Sequence, residues 1–160
     1  EWLVGDGRGK ANGGINPPSR YRGNMVIGAS GSGPSLRDAS ANQAQVVAAL
    51  QSCASEFKTS AEIYDFRGWR WSMGTSGFSM FNTVQTPNDR TYLFGGCRFG
   101  CAGCWPDSSF SVGAASAHSG GANVLMADGS VKFMKDSVNR NTWWGLGTRN
   151  GGEVISSDAY

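Results

Sequence analysis

His118-Ser119-Gly120-Gly121-Ala122-Asn123-Val124-Leu125-Met126-Ala127-Asp128-Gly129-Ser130-Val131-Lys132-Phe133 is the stretch that decides the fold. Asp128-Gly129 is a dipeptide suited to the positive-φ pair of a two-residue type I′ turn, and β-prone runs flank it on both sides. With that turn, Ala127 faces Ser130, Met126 faces Val131 and Val124 faces Phe133. The pairs Met126–Val131 and Val124–Phe133 then share one apolar face, which is read as the core face, and Lys132 points to water. The stretch predicts a β-hairpin.

A helix is expected from about Ala41 to Glu56. Ser40 and Gln43 form a capping-box pair, and Val46, Leu50, Cys53 and Phe57 recur on one apolar face. A short second helix follows Ser137 and runs through Trp143 and Trp144, with Gly145 and Gly147 helping to end it. Between the helices, strands are expected around Trp69–Trp71 and Phe78–Thr83, and a short one upstream at Asn24–Ile27. Clusters such as Asn12-Gly13-Gly14 and Asn16-Pro17-Pro18 read as loop. The expected class is α+β: an antiparallel sheet with one main helix, rich in loops.

The 160 residues suit a single globular domain, residues 1–160, that buries roughly 70% of its unfolded surface. Charged residues make up 16% and the formal net charge is +2, with no basic stripe, which argues against a nucleic-acid or membrane-surface partner. Twenty-four glycines without a Gly-X-Y period imply tight turns and ordered loops. Six tryptophans and eight phenylalanines supply the apolar area that a disordered chain lacks. Gly5-Asp6-Gly7-Arg8-Gly9 is not a dinucleotide site, because no strand–helix unit with a suitably spaced acid follows. Val46-Val47-Ala48-Ala49-Leu50 is far short of the ~20 residues that span a bilayer.

The run from His118 to Asp128-Gly129 also resembles the H-x9-DG signature near the C-terminus of the planctomycete-type prepilin-like proteins, a family of unknown function. Ala114-Ala115-Ser116-Ala117 leads into it, and Thr142 to Val154 is similar to the family's closing segment. Arg67-Gly68-Trp69, Phe81-Asn82-Thr83-Val84 and Pro87-Asn88 are similar to its middle. The resemblance covers Arg67 to the end and implies the globular head of a pilin- or pseudopilin-like protein. Such a head is extracytoplasmic, anchored in its full-length form by a segment outside this chain, and docks to protein partners in an envelope complex. The leader and long apolar helix of the family are not in this sequence, which opens at Glu1 without Met. That implies a processed product, an excised fragment or part of a longer protein.

Cys97, Cys101 and Cys104 have the spacing C-x3-C-x2-C, with Cys53 apart. Kinship with exported proteins favours two disulfides, and sequence does not choose among the three pairings. The competing reading is a zinc or iron–sulfur site completed by Cys53 or His118, although zinc sites usually offer two separated ligand pairs. Asp107, Asp128, Asp136 and Glu153 carry oxygens suited to calcium but lack EF-hand spacing. No cofactor is expected.

His118 with Asp128 as orienting carboxylate would be the core of a hydrolase. The turn already uses Asp128, and no serine lies in a Gly-x-Ser-x-Gly context. His118 is therefore read as a structural residue, its ring buried at the base of the hairpin. Trp69, Trp71, Trp105, Trp143 and Trp144 are read as core residues first and as a stacking platform for glycan or peptide second. Trp143 and Trp144 diverge by about 100° on a helix, so only one is expected to face inward. The functional expectation is a non-enzymatic assembly protein; the alternative is a glycan- or peptide-binding module, and the third reading is a hydrolase using His118.

Overall fold

The computed structural model describes residues 3–8, 17–34, 38–149 and 151–160; the loop read at Asn12-Gly13-Gly14 lies outside them. The fold is α+β. Strand β1 (Met25–Ala29) precedes the main helix α1 (Gln43–Thr59), and β2 (Ile63–Tyr64), β3 (Gly96–Phe99) and β4 (Ser111–Val112) complete a sheet of order β2-β1-β3-β4. The flanking pairs β1–β2 and β3–β4 are antiparallel as expected, and the central pair β1–β3 is parallel. A two-stranded antiparallel ribbon, β5 (Gly121–Leu125) and β6 (Val131–Lys135), precedes the short helix α2 (Arg140–Leu146).

Helix α1 buries Val46, Leu50, Cys53 and Phe57, the face read from their spacing. Its start differs. Residues Ser40–Asn42 form a 3₁₀ turn, and the cap is Asp38, whose Oδ1 accepts the N–H groups of Ser40 and Ala41 at 2.8 and 3.3 Å. Ser40 Oγ donates to that same carboxylate, so it is not free to cap. The Asp38 side chain satisfies two of the donors that every helix start leaves open.

The hairpin forms, in a register one residue away from the expected one. Leu125 pairs with Val131, Val124 with Lys132, Asn123 with Phe133 and Ala122 with Met134. The cause is the turn. Of the two turn residues only Gly129 has positive φ (84°), and Asn88 is the only described non-glycine residue with positive φ, so Asp128 does not supply the second left-handed residue of a type I′ turn. Instead Gly129 N–H donates to Met126 O and Met126 N–H to Ser130 O, closing a three-residue loop with Gly129 as the bulge. A one-residue shift exchanges the faces. Ala122, Val124 and Met134 are buried, Lys132 shares their face and reaches Tyr160 Oη at 2.9 Å, and Leu125, Val131 and Phe133 are exposed.

The stretches Trp69–Trp71 and Phe78–Thr83 are turns and loop, with a single isolated bridge between Ser76 and Met80. Their glycines and hydroxyl residues close tight turns, such as Phe78, Ser79 and Met80 N–H all donating to Thr75 O. Cys97 lies in β3.

Trp143 and Trp144 are both buried, at 1% and 4% exposure, against the expectation that one would face out. Segment 81–85 wraps the two-turn helix, so both indoles find cover. Trp143 stacks on Phe81 at 6.0 Å and 4° and donates to Gln85 O at 2.6 Å; Trp144 donates to Val84 O at 3.2 Å. Asn139 caps α2 through Asn141 N–H. One contiguous core joins α1, β1, β3, the ribbon and α2.

Candidate functional site

The four cysteines form two disulfides, Cys53–Cys97 and Cys101–Cys104. The first ties α1 to the central strand β3, with both residues fully buried. Closing a loop of 44 residues' separation constrains the unfolded chain by roughly 4 kcal/mol, while a separation of 3 contributes about 2 kcal/mol. The thiols that a metal site needs are consumed by these bonds. Among the described residues no three His, Cys, Asp or Glu side chains cluster in a way that holds a metal. Asp107 instead pairs with Arg98 at 2.9 Å, Asp128 accepts Ser130 N–H at the hairpin tip, Asp136 faces Asn88, and Glu153 accepts from Thr148 Oγ1.

Three surfaces carry the residues singled out from the sequence. The first is a groove of about 380 Å³ at the base of the ribbon, lined by Tyr21, Arg22, Asn88, Arg90, His118 and Asp136 among others. His118 is exposed on its rim, and its backbone N–H donates to Ser116 Oγ at 3.1 Å. The buried ring expected for it is thus not found. His118 and Asp128 also stand at opposite ends of β5, five residues long, which separates them by about 17 Å. Asp128 cannot orient the imidazole.

The residue that fixes the approach to the hairpin is Asn88. It is buried, with φ +50°, in the Pro87-Asn88 turn. Its Oδ1 accepts from Arg22 Nη2 at 2.6 Å and Ser116 N–H at 2.8 Å, and its Nδ2 donates to Asp136 Oδ1 at 2.8 Å and Gly121 O at 3.2 Å. All four amide valences are used, which joins a loop, the hairpin base and an arginine. Asparagine tolerates the left-handed region better than most residues, and a Pro-Asn dipeptide favours a turn that needs it. That was the available sequence signal, and the histidine drew the reading away from it.

The second surface is aromatic and cationic. Trp69, Trp71 and Trp105 are exposed at 50%, 81% and 48%, contrary to the core reading. Trp69 Nε1 donates to Gly5 O at 2.8 Å, and its ring meets Phe66 edge-on. Trp105 meets Phe78 edge-on and lies under the Arg70 guanidinium at 4.3 Å. These tryptophans lie outside the strands, on turns and irregular loop.

The third surface is the outer face of the ribbon. Leu125 and Val131 form a cross-strand pair, and Phe133 lies beside them over Gly121. A Cβ at Gly121 would come within 2.8 Å of the Phe133 ring, so the glycine lets the ring lie flat on the strand.

The fold and these surfaces define a disulfide-stapled α+β domain with an apolar ribbon face. A sequence-family model described as a protein of unknown function (DUF1559) matches residues 38–141, more than half of the chain, and the chain belongs to that family. The match begins upstream of Arg67 and includes the hairpin; the Thr142–Val154 segment lies beyond it. No curated protein and no solved structure matches the chain. Among the described residues no helix is long and apolar enough to cross a membrane.

Proposed function

We propose that this chain is a non-enzymatic assembly protein of an oxidising, extracytoplasmic compartment, similar to the globular head of a pilin- or pseudopilin-like protein and docking to an envelope complex. The observation that carries the reading is the ribbon's outer face, where Leu125, Val131 and Phe133 expose apolar surface side by side. A two-stranded ribbon is marginal by itself, and this one covers only its inner face with the core. Contiguous apolar surface of this kind marks a contact with another protein. Two disulfides support the compartment, since such bonds persist where thiols are not kept reduced.

The test is a photo-crosslinking side chain placed at Val131 in cells of the native host, with Gln51 on the exposed side of α1 as control. A protein adduct from position 131 and none from 51 is the expected result. Equal yields, or no adduct at 131, would overturn the reading.

The exposed Trp71 and Trp105 favour a second reading, a surface that stacks a glycan or aromatic peptide side chain. It requires quenching or a shift of tryptophan emission with soluble oligosaccharides or peptides, abolished in Trp71→Ala.

A further inference from the structure

The two disulfides occupy opposite environments. Cys53 and Cys97 have no exposed surface, whereas Cys101 is exposed and Cys104 partly so. The latter pair is separated by Ala102-Gly103 alone, in the turn that follows β3. That turn is also held by contacts other than its disulfide. Ala102 sits against Gly28, where φ is +81° and a Cβ would come within 2.7 Å of the Ala102 Cα. Gly100 N–H donates to Ala29 O at 3.0 Å. On the other side Pro106 packs on Gly77, and Arg98 donates to the Trp105 carbonyl and pairs with Asp107 at 2.9 Å. Contacts before and after the short ring therefore fix its shape alongside the S–S bond. Exposed disulfides are the ones that external thiols reach, and attack falls on the more accessible sulfur.

We propose that Cys101–Cys104 is a thiol-exchange site for small thiols, opening and closing on the folded protein while Cys53–Cys97 stays closed. The thiolate sulfur of a small thiol such as glutathione attacks Cys101 Sγ. A new S–S bond forms there as the Cys101–Cys104 bond breaks, and Cys104 Sγ leaves with the electron pair and takes a proton from water. A second thiolate then attacks the small-thiol sulfur of the mixed disulfide; the bond to Cys101 breaks, and Cys101 Sγ leaves with the electron pair and takes a proton from water. The small thiol is oxidised to its disulfide, and Cys101 and Cys104 are reduced to two thiols. The reverse sequence recloses the ring. Arg98 on the carbonyl and Arg70 over the ring hold Trp105, the residue next to the leaving sulfur.

The native full chain is equilibrated in glutathione buffers of graded redox ratio, quenched with an alkylating agent and mapped by peptide mass spectrometry. Alkylation of Cys101 and Cys104 is expected in buffers that leave Cys53 and Cys97 unlabelled, with the circular dichroism spectrum unchanged. Labelling of all four cysteines in the same buffers, or none at Cys101 and Cys104 until denaturant is added, would overturn the proposal. The direction of attack is read from single variants. Cys104→Ser leaves Cys101 as the surviving thiol and should form an adduct with oxidised glutathione roughly tenfold faster than Cys101→Ser does. The opposite order would refute attack at Cys101.

Discussion

The indole Nε1 of Trp143 donates to the backbone carbonyl of Gln85 at 2.6 Å, across 58 residues of sequence. The Gln85 side chain extends that tie, donating to Tyr92 O and Phe94 O and accepting from Ser111 Oγ at 2.5 Å. Helix α2 is therefore joined to the sheet through a buried polar residue as well as through apolar packing. Two turns of helix would not persist in water without such anchoring.

Trp143→Phe keeps a ring against Phe81 but leaves the Gln85 carbonyl without its donor, at a cost of about 1–3 kcal/mol. Trp143→Ala removes the ring as well and should cost about 3–5 kcal/mol. Urea midpoints of the two variants measure both. A Phe variant that unfolds at the parent's midpoint would mean that the hydrogen bond contributes nothing.

Gly129→Val should destabilise the domain by about 1–2 kcal/mol or more, because a β-branched residue is strained at φ 84°. Gly129→Asn should cost less, since asparagine visits that region. A valine variant that unfolds with the parent's midpoint would show that the loop has changed to another turn.

The hairpin itself was legible, because Asp-Gly between β-prone runs has few other outcomes. Its register was not, since Asp128-Gly129 suits both a two-residue turn and a three-residue loop with one bulged glycine. The choice between them decides which of Val131 and Lys132 meets the core, and no local propensity makes it. Tertiary cover decides it: Lys132 can bury its stem because Tyr160, from the far end of the chain, offers a hydroxyl and a ring. Helix α1 was legible because its periodicity repeats over four positions. The two buried tryptophans were misread for the converse reason, as a single helix was judged without the 81–85 segment that wraps it.

Asn88 separates two roles that a pair of variants distinguishes. Asn88→Gly removes the side-chain hydrogen bonds while suiting φ +50°, and should cost about 2–4 kcal/mol. Asn88→Ala adds left-handed strain and should be worse by about 1 kcal/mol. If the glycine variant matches the parent in thermal or urea unfolding, the four bonds to Arg22, Ser116, Gly121 and Asp136 are not what holds the hairpin base.

Acid should weaken the fold through Asp6, near the start of the described chain. Burial alone would raise its carboxyl, but hydrogen bonds from Ser19 Oγ at 2.6 Å, Asn24 Nδ2 at 2.9 Å and Arg8 N–H at 3.0 Å, with the Arg8 charge, hold it below 3.8. A carboxyl depressed in the folded state contributes stability that is fully present above its unfolded value and is lost as pH falls through its folded value. The contribution of Asp6 is therefore complete above about pH 5 and is lost progressively as the pH falls past 3.8 toward the lower folded value. Asp38, Asp128 and Asp158, all exposed and depressed by hydrogen bonds to nearby serines, give the parent a background slope of the same sign. The Asp6→Asn variant isolates the one term. Its urea midpoint should lie below the parent's at pH 6, and the gap should narrow steadily as the pH is lowered from 5 to about 2.5. A gap that stays constant over that range would show that the ring of bonds around Asp6 does not depend on its charge.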